Sequence, residues 1–161
     1  MNDFLNFVKN FIALIIVLCL LFFFVVGIEM APNDDMSPRV SAGDVVLYYK
    51  LSNVINSQDV VVLKKNDTEY IGRVIGLPGD TVEVTEDSNL IVNGNMVIES
   101  NIFYVTPPYE GFLEYPLTLG SDEYFILVDK REHGEDSRYY GPVKRSEIKG
   151  VVIGQFRRNN I

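Results

Sequence analysis

Between Phe11 and Ile28 the chain reads Phe-Ile-Ala-Leu-Ile-Ile-Val-Leu-Cys-Leu-Leu-Phe-Phe-Phe-Val-Val-Gly-Ile, without one charged side chain. Hydrocarbon offers no water to backbone amides, so an uncharged run close to the roughly 20 residues that cross a bilayer is predicted to form one transmembrane helix. Lys9 precedes the run, whereas Glu29, Asp34 and Asp35 follow it. Basic residues concentrate on the cytoplasmic side, so the amino terminus is expected inside and the rest of the protein outside. The expected organisation is a cytoplasmic segment over residues 1–10, an anchor over residues 11–28 and an extracellular domain over residues 31–161. The competing reading is a cleavable secretory signal with a small-residue site at Val25-Val26-Gly27, but the apolar core exceeds the usual span of about 7–15 residues, which favours retention.

The 161 residues suit this segment and one globular domain. The single cysteine, Cys19, falls inside the apolar run, so an exported domain must hold together without disulfides. A formal net charge of −8 argues against nucleic acid as a partner, because that role wants a basic footprint. One histidine and one cysteine do not make a zinc ligand set, and no cofactor is expected. His133 lies in Glu132-His133-Gly134-Glu135, a polar run that reads as a surface loop.

Beyond the anchor, β-branched and aromatic runs alternate with turn residues: Val45–Tyr49, Val60–Leu63, Tyr70–Ile75, Thr81–Val84, Tyr124–Val128 and Val151–Phe156. Leu90–Val92 and Met96–Ile98 flank Asn93-Gly94-Asn95, a hairpin signal. Leu77-Pro78-Gly79-Asp80 and Gly43-Asp44 read as turns. Helical periodicity is weak, so the expected class is all-β, an antiparallel β-sheet domain behind a single transmembrane helix. The aromatic, proline-rich stretch Ile102–Leu113 reads either as sheet packing or as a lid or docking loop.

Three segments carry a family resemblance. They are Asp35-Met36-Ser37-Pro38 followed by Gly43-Asp44-Val45-Val46-Leu47, then Arg73-Val74-Ile75-Gly76-Leu77-Pro78-Gly79-Asp80, and finally Tyr124 to Gly141. In order and wording they resemble the boxes of type I signal peptidases, membrane-bound serine–lysine proteases. That family's boxes read Ser-Met-x-Pro, Lys-Arg before the Gly-x-Pro-Gly-Asp turn, and Gly-Asp-Asn-Arg with Ser-x-Asp-Ser-Arg. The resemblance implies an antiparallel β fold with an uncleaved anchor, and structural roles for Asp129, Arg131, Asp136, Ser137 and Arg138. Asp35 stands where the family's nucleophilic serine belongs, Gly72 where its lysine belongs, and Gly134 where the serine that supports the lysine belongs. Val128 and Lys130 replace the glycine and asparagine around Asp129.

A serine–lysine protease needs a hydroxyl to attack and a neutral amine to take its proton, and neither group is present at these positions. An aspartic-type rescue would require Asp35 to share a proton with Asp129 or Asp136; the plainer reading pairs those two with Arg73, Arg131 or Arg138. No catalytic residue is therefore expected. The leading expectation is a pseudoenzyme whose peptide groove, with Asp35, Met36, Pro38, Gly72 and Arg73 as candidate contacts, holds an exported client. Signal peptidase-like proteins lacking the dyad occur in pilus assembly loci of Gram-positive bacteria, and this resemblance implies pilin precursors, with a pilin-specific sortase beside them, as partners. The alternatives are a working endopeptidase using a carboxylate mechanism, and a membrane adaptor with a vestigial groove. The same surface is compatible with a homodimer that plugs its own cleft.

Overall fold

The computed structural model describes residues 2–100 and 102–158. It opens with helix α1 (Asn2–Val25), of which Phe4–Val25 is long and apolar enough to cross a membrane and is not buried against the rest of the chain. The chain passes without a linker into strand β1 (Val26–Met30), which pairs antiparallel with β2 (Val45–Tyr49) in the register Gly27↔Tyr48. The anchor expected over residues 11–28 is thus corrected at both ends: the helix starts earlier and stops at Val25, and the domain begins at Val26 rather than 31. Hydropathy cannot separate an apolar helix from the apolar strand that continues it; the ladder to β2 decides the boundary. Gly27 has a packing reason, because a β-carbon there would lie 2.0 Å from Cζ of the Tyr48 ring.

The remaining strands are β3 (Val60–Lys65), β4 (Thr68–Gly76), β5 (Thr81–Val84), β6 (Leu90–Val92), β7 (Asn95–Met96), β8 (Leu117–Thr118), β9 (Glu123–Leu127), β10 (Val143–Lys144) and β11 (Ile148–Phe156). A one-turn helix, α2 (Ser137–Tyr140), precedes β10. Seven strands form one sheet in the order β1-β2-β11-β3-β4-β9-β10, four form another in the order β7-β6-β5-β8, and every pair is antiparallel. The all-β expectation holds.

The turn Leu77–Asp80 leads from the large sheet to the small one. Pro78 sets φ, Gly79 takes φ +85°, and Asp80 N–H bonds to the Leu77 carbonyl at 2.9 Å, a type II pattern. The hairpin loop is tighter than expected: Asn93 and Gly94 both have positive φ, a two-residue turn, and Asn95 already belongs to β7. The strand expected over Met96–Ile98 shortens accordingly, although Val97 N–H still bonds to the Leu90 carbonyl. Three buried clusters fill the domain. One of them gathers Ala31, Met36, Val40, Val46, Tyr48, Val62, Ile71 and Val128 beneath the segment that carries Asp35.

Candidate functional site

Asp35 sits in a turn, directly after Asp34. Ser37 N–H bonds to the Asp34 carbonyl and Val40 N–H to the Met36 carbonyl, so the backbone coils here. The two carboxylates part company all the same: Asp34 accepts from Ala42 N–H at 2.8 Å, while Asp35 Oδ2 accepts from the Asn33 amide at 2.8 Å. The Asp35 carbonyl takes Lys130 N–H at 2.8 Å, which ties the turn to the segment that follows β9. Burial pushes the Asp35 carboxyl above its ordinary range; the Asn33 amide and the Glu135 backbone N–H oppose this, and the Glu135 and Asp136 carboxylates add to it. Among the described residues no cation forms an ion pair with Asp35.

Gly72 and Gly134, the two glycines that the sequence resemblance sets at the family's lysine and supporting-serine positions, are closed by their neighbours. Gly72, in β4 opposite Val61, is buried, and a β-carbon there would lie 2.5 Å from Ile126 Cγ2 and 3.3 Å from the Leu127 carbonyl oxygen. Gly134 is buried too: a β-carbon would meet Val128 Cγ2 at 2.3 Å, with Asp35 Cγ at 3.4 Å. Gly134 and Asp35 are therefore neighbours, and Val128, which by the sequence resemblance replaces a family glycine, occupies the room that a side chain at 134 would need. Side chains less than 3 Å apart cannot coexist, so these departures are sterically matched to one another.

The charged box residues form a buried frame. Arg73 donates Nε to Asp129 Oδ1 at 2.8 Å and a terminal nitrogen to Oδ2 at 2.6 Å, and donates a further bond to the Gln58 carbonyl. Arg138 makes the same fork with Asp136 at 2.9 and 2.7 Å, both side chains being fully buried. Such bidentate pairs commit both carboxylates to arginines, and among the described residues neither Asp129 nor Asp136 makes a side-chain hydrogen bond to Asp35. Arg131 departs from the expected carboxylates and reaches Glu99 and Thr106 at 2.8 and 2.9 Å. Ser137 Oγ accepts from Ile126 N–H.

Arg131 and Arg138 also pin Glu99 and a strap, residues 102–109, against the site. Arg138 donates to the Pro107 carbonyl at 2.8 Å and lies 4.2 Å over the Tyr109 ring, whose hydroxyl donates to the Gly134 carbonyl at 2.8 Å. This strap begins the aromatic stretch flagged in the sequence, and its side chains divide: Tyr109 packs inward while Phe103 is 81% exposed. Glu99 and Thr106 carry no sequence signal for their roles, since their partner lies in a distant box. Glu135 was likewise missed; its carboxylate accepts the Tyr70 hydroxyl at 3.1 Å, and its charge adds to the upward push on the Asp35 carboxyl.

Of the candidate peptide contacts, only Asp35, half-buried, and Pro38 reach the surface. Met36 is core, Gly72 lies under Ile126, and Arg73 is consumed by Asp129, so these three support the site from below. His133 is exposed, and the described residues contain no group of His, Cys, Asp and Glu that would hold a metal ion.

Residues 4–156 match the signal peptidase family, peptidase S26. The chain is 30% identical over 166 residues to a probable signal peptidase I-2 of Synechocystis, covering 96% of this chain and 74% of that one. It is 32% identical over 132 residues to signal peptidase I V of Bacillus subtilis, covering 73% and 78%. A crystal structure of a signal peptidase I from Enterococcus faecalis superposes with a TM-score of 0.52 at 29% identity, covering 63% of this chain and 98% of that one. The chain belongs to the peptidase S26 signal peptidase family, with the signal peptidase I fold and an N-terminal apolar helix that fits a single-pass membrane anchor.

Proposed function

We propose that this chain is a noncatalytic signal peptidase homologue that binds exported precursors without cutting them. The observation that carries this reading is the packing at Gly72: the family's lysine position has no side chain, and Ile126 fills the space where one would start. Asp35 adds a carboxylate where a hydroxyl nucleophile belongs, with no amine to activate it. In this reading α1 anchors the protein in the cytoplasmic membrane with its amino terminus inside and the β domain outside. The half-buried Asp35, which forms no ion pair among the described residues, suits a client that presents a lysine or a free amine, because charge pairing strengthens in a partly desolvated setting. Pilin precursors are the proposed clients, and a pilin-specific sortase the proposed neighbour, on the sequence resemblance to the dyad-less proteins of pilus loci.

The test is co-purification of the full chain in detergent with pilin precursors that retain their signal peptides. An intact complex weakened by Asp35→Ala supports the reading. Unchanged capture by Asp35→Ala, combined with loss on substitution of Tyr104 and Phe112, transfers binding to the aromatic stretch Ile102–Leu113 and makes the protein an adaptor with a vestigial groove. The second reading is an endopeptidase working through Asp35 by a carboxylate mechanism, in keeping with a half-buried carboxyl that burial holds above its ordinary range. It requires precursor cleavage that Asp35→Asn abolishes in a folded protein.

A further inference from the structure

A groove of about 650 Å³ opens where α1 meets the sheet. Its walls are Leu18, Cys19 and Phe22 from the last turns of the helix, and Ile28 and Tyr48 from β1 and β2, with Lys50 at the rim. The Tyr48 wall is fixed, because its ring lies directly over Gly27. The helix end is fixed as well. Lys50 N–H donates to the Val25 carbonyl at 2.9 Å, and its ammonium donates to the Phe23 carbonyl at 2.8 Å and lies 5.1 Å from the Phe23 ring centre. These bonds satisfy carbonyls that a helix terminus leaves unpaired, and they place a cation at the negative end of the helix dipole.

Depth decides what the groove takes. At 1.5 Å per residue, Phe4–Val25 spans roughly 33 Å, close to the ~30 Å thickness of a hydrocarbon core. Val25 and Lys50 then lie at headgroup level, while Leu18 lies about 10 Å deeper, among acyl chains. The groove is apolar below and cationic above, which is the polarity of one leaflet of lipid. An ammonium carries three donors; one is spent on Phe23, and no carboxylate pairs with Lys50 among the described residues. An apolar peptide would satisfy the walls and leave this cation without a counterion. A lipid phosphate would supply it.

We infer that the groove between α1 and the β1–β2 hairpin binds one anionic phospholipid, its phosphate on Lys50 and an acyl chain along Leu18 and Phe22. The site is independent of the Asp35 region and of what that region binds.

The full chain is reconstituted in bilayers of phosphatidylcholine and phosphatidylglycerol, extracted in mild detergent, and weighed intact by native mass spectrometry. The expected result is one retained phosphatidylglycerol in preference to phosphatidylcholine. Lys50→Gln should lower that retention about five-fold, the factor that one membrane-surface cation supplies. Lys50→Arg keeps both the helix cap and the lipid, which separates headgroup binding from a loss of fold. Cys19→Trp fills the groove and removes the retained lipid, whereas Lys9→Gln, at the other end of the helix, leaves it in place. Equal retention of the two lipids, wild-type retention by Lys50→Gln, or an equal loss with Lys9→Gln overturns the inference. So does displacement of the lipid by an apolar signal-like peptide that binds with no dependence on Lys50.

Discussion

Gly72→Ala in the full chain should destabilise the fold, although alanine is ordinarily preferred to glycine in a strand. A compatible Gly→Ala exchange stabilises by about 0.4–1 kcal/mol through the unfolded chain. Here the new β-carbon would stand 2.5 Å from Ile126 Cγ2, far inside the roughly 3.5–4.0 Å of ordinary carbon contact. Overpacking of this kind costs about 1–3 kcal/mol, so the net effect is a loss of roughly 1–2 kcal/mol. Ile126→Ala alone leaves a cavity at a fully buried position and should cost about 2–5 kcal/mol. Combined, the alanine methyl at 72 enters the space that the isoleucine vacates, the clash disappears and the cavity shrinks. The double variant should therefore be more stable than the sum of the singles by about 1–2 kcal/mol. Guanidinium unfolding in detergent, followed by tyrosine emission, measures this, since the chain has nine tyrosines and no tryptophan. Additivity within about 0.5 kcal/mol, or a stabilising Gly72→Ala, would refute the claim that Ile126 has closed the lysine position.

Three further outcomes follow from the site. Asp129→Ala leaves the Arg73 guanidinium buried and uncompensated, and should cost about 3–5 kcal/mol, seen as a fall of roughly 10 °C in melting temperature. Burial raises the Asp35 carboxyl pKa in the fold, so the native state binds this proton more tightly than the unfolded chain does. Its stabilising contribution is present below the ordinary carboxylate range and is lost as pH rises through the raised value; Asp35→Asn should thus raise the melting temperature at pH 7 and not at pH 3. Tyr109→Phe removes one hydrogen bond to the Gly134 carbonyl and should cost about 0.5–1.5 kcal/mol, whereas Tyr109→Ala costs more because Arg138 also loses its aromatic partner; thermal melts of the two variants separate these terms.

What could be read from the sequence depended on whether the signal was local. The turns at Leu77–Asp80 and Gly43-Asp44 were legible because proline restricts φ and glycine alone takes positive φ without strain, and the strands because β-branched runs are bounded by such turns. The end of the helix was not, because Val26-Gly27-Ile28 is apolar in either state and its partner, Val45–Tyr49, lies downstream. At the site, Asp35 and Gly72 stood out against a familiar wording, and so did Val128. That Ile126 fills the space at Gly72 and Val128 the space at Gly134 required three-dimensional contact. The ion pairs divided in the same way: Asp129 with Arg73 and Asp136 with Arg138 joined residues of matched boxes, while the Glu99 and Thr106 bonds to Arg131 joined a box to a loop of no recognisable pattern.

The noncatalytic reading is tested most directly by incubating the full chain in lipid vesicles with precursors that carry intact signal peptides, and recording intact masses over time. The account predicts unprocessed precursor for the wild type and for Asp35→Ser alike, because Gly72 supplies no base to either. Release of a signal peptide by the wild type, abolished by Asp35→Asn, would contradict it.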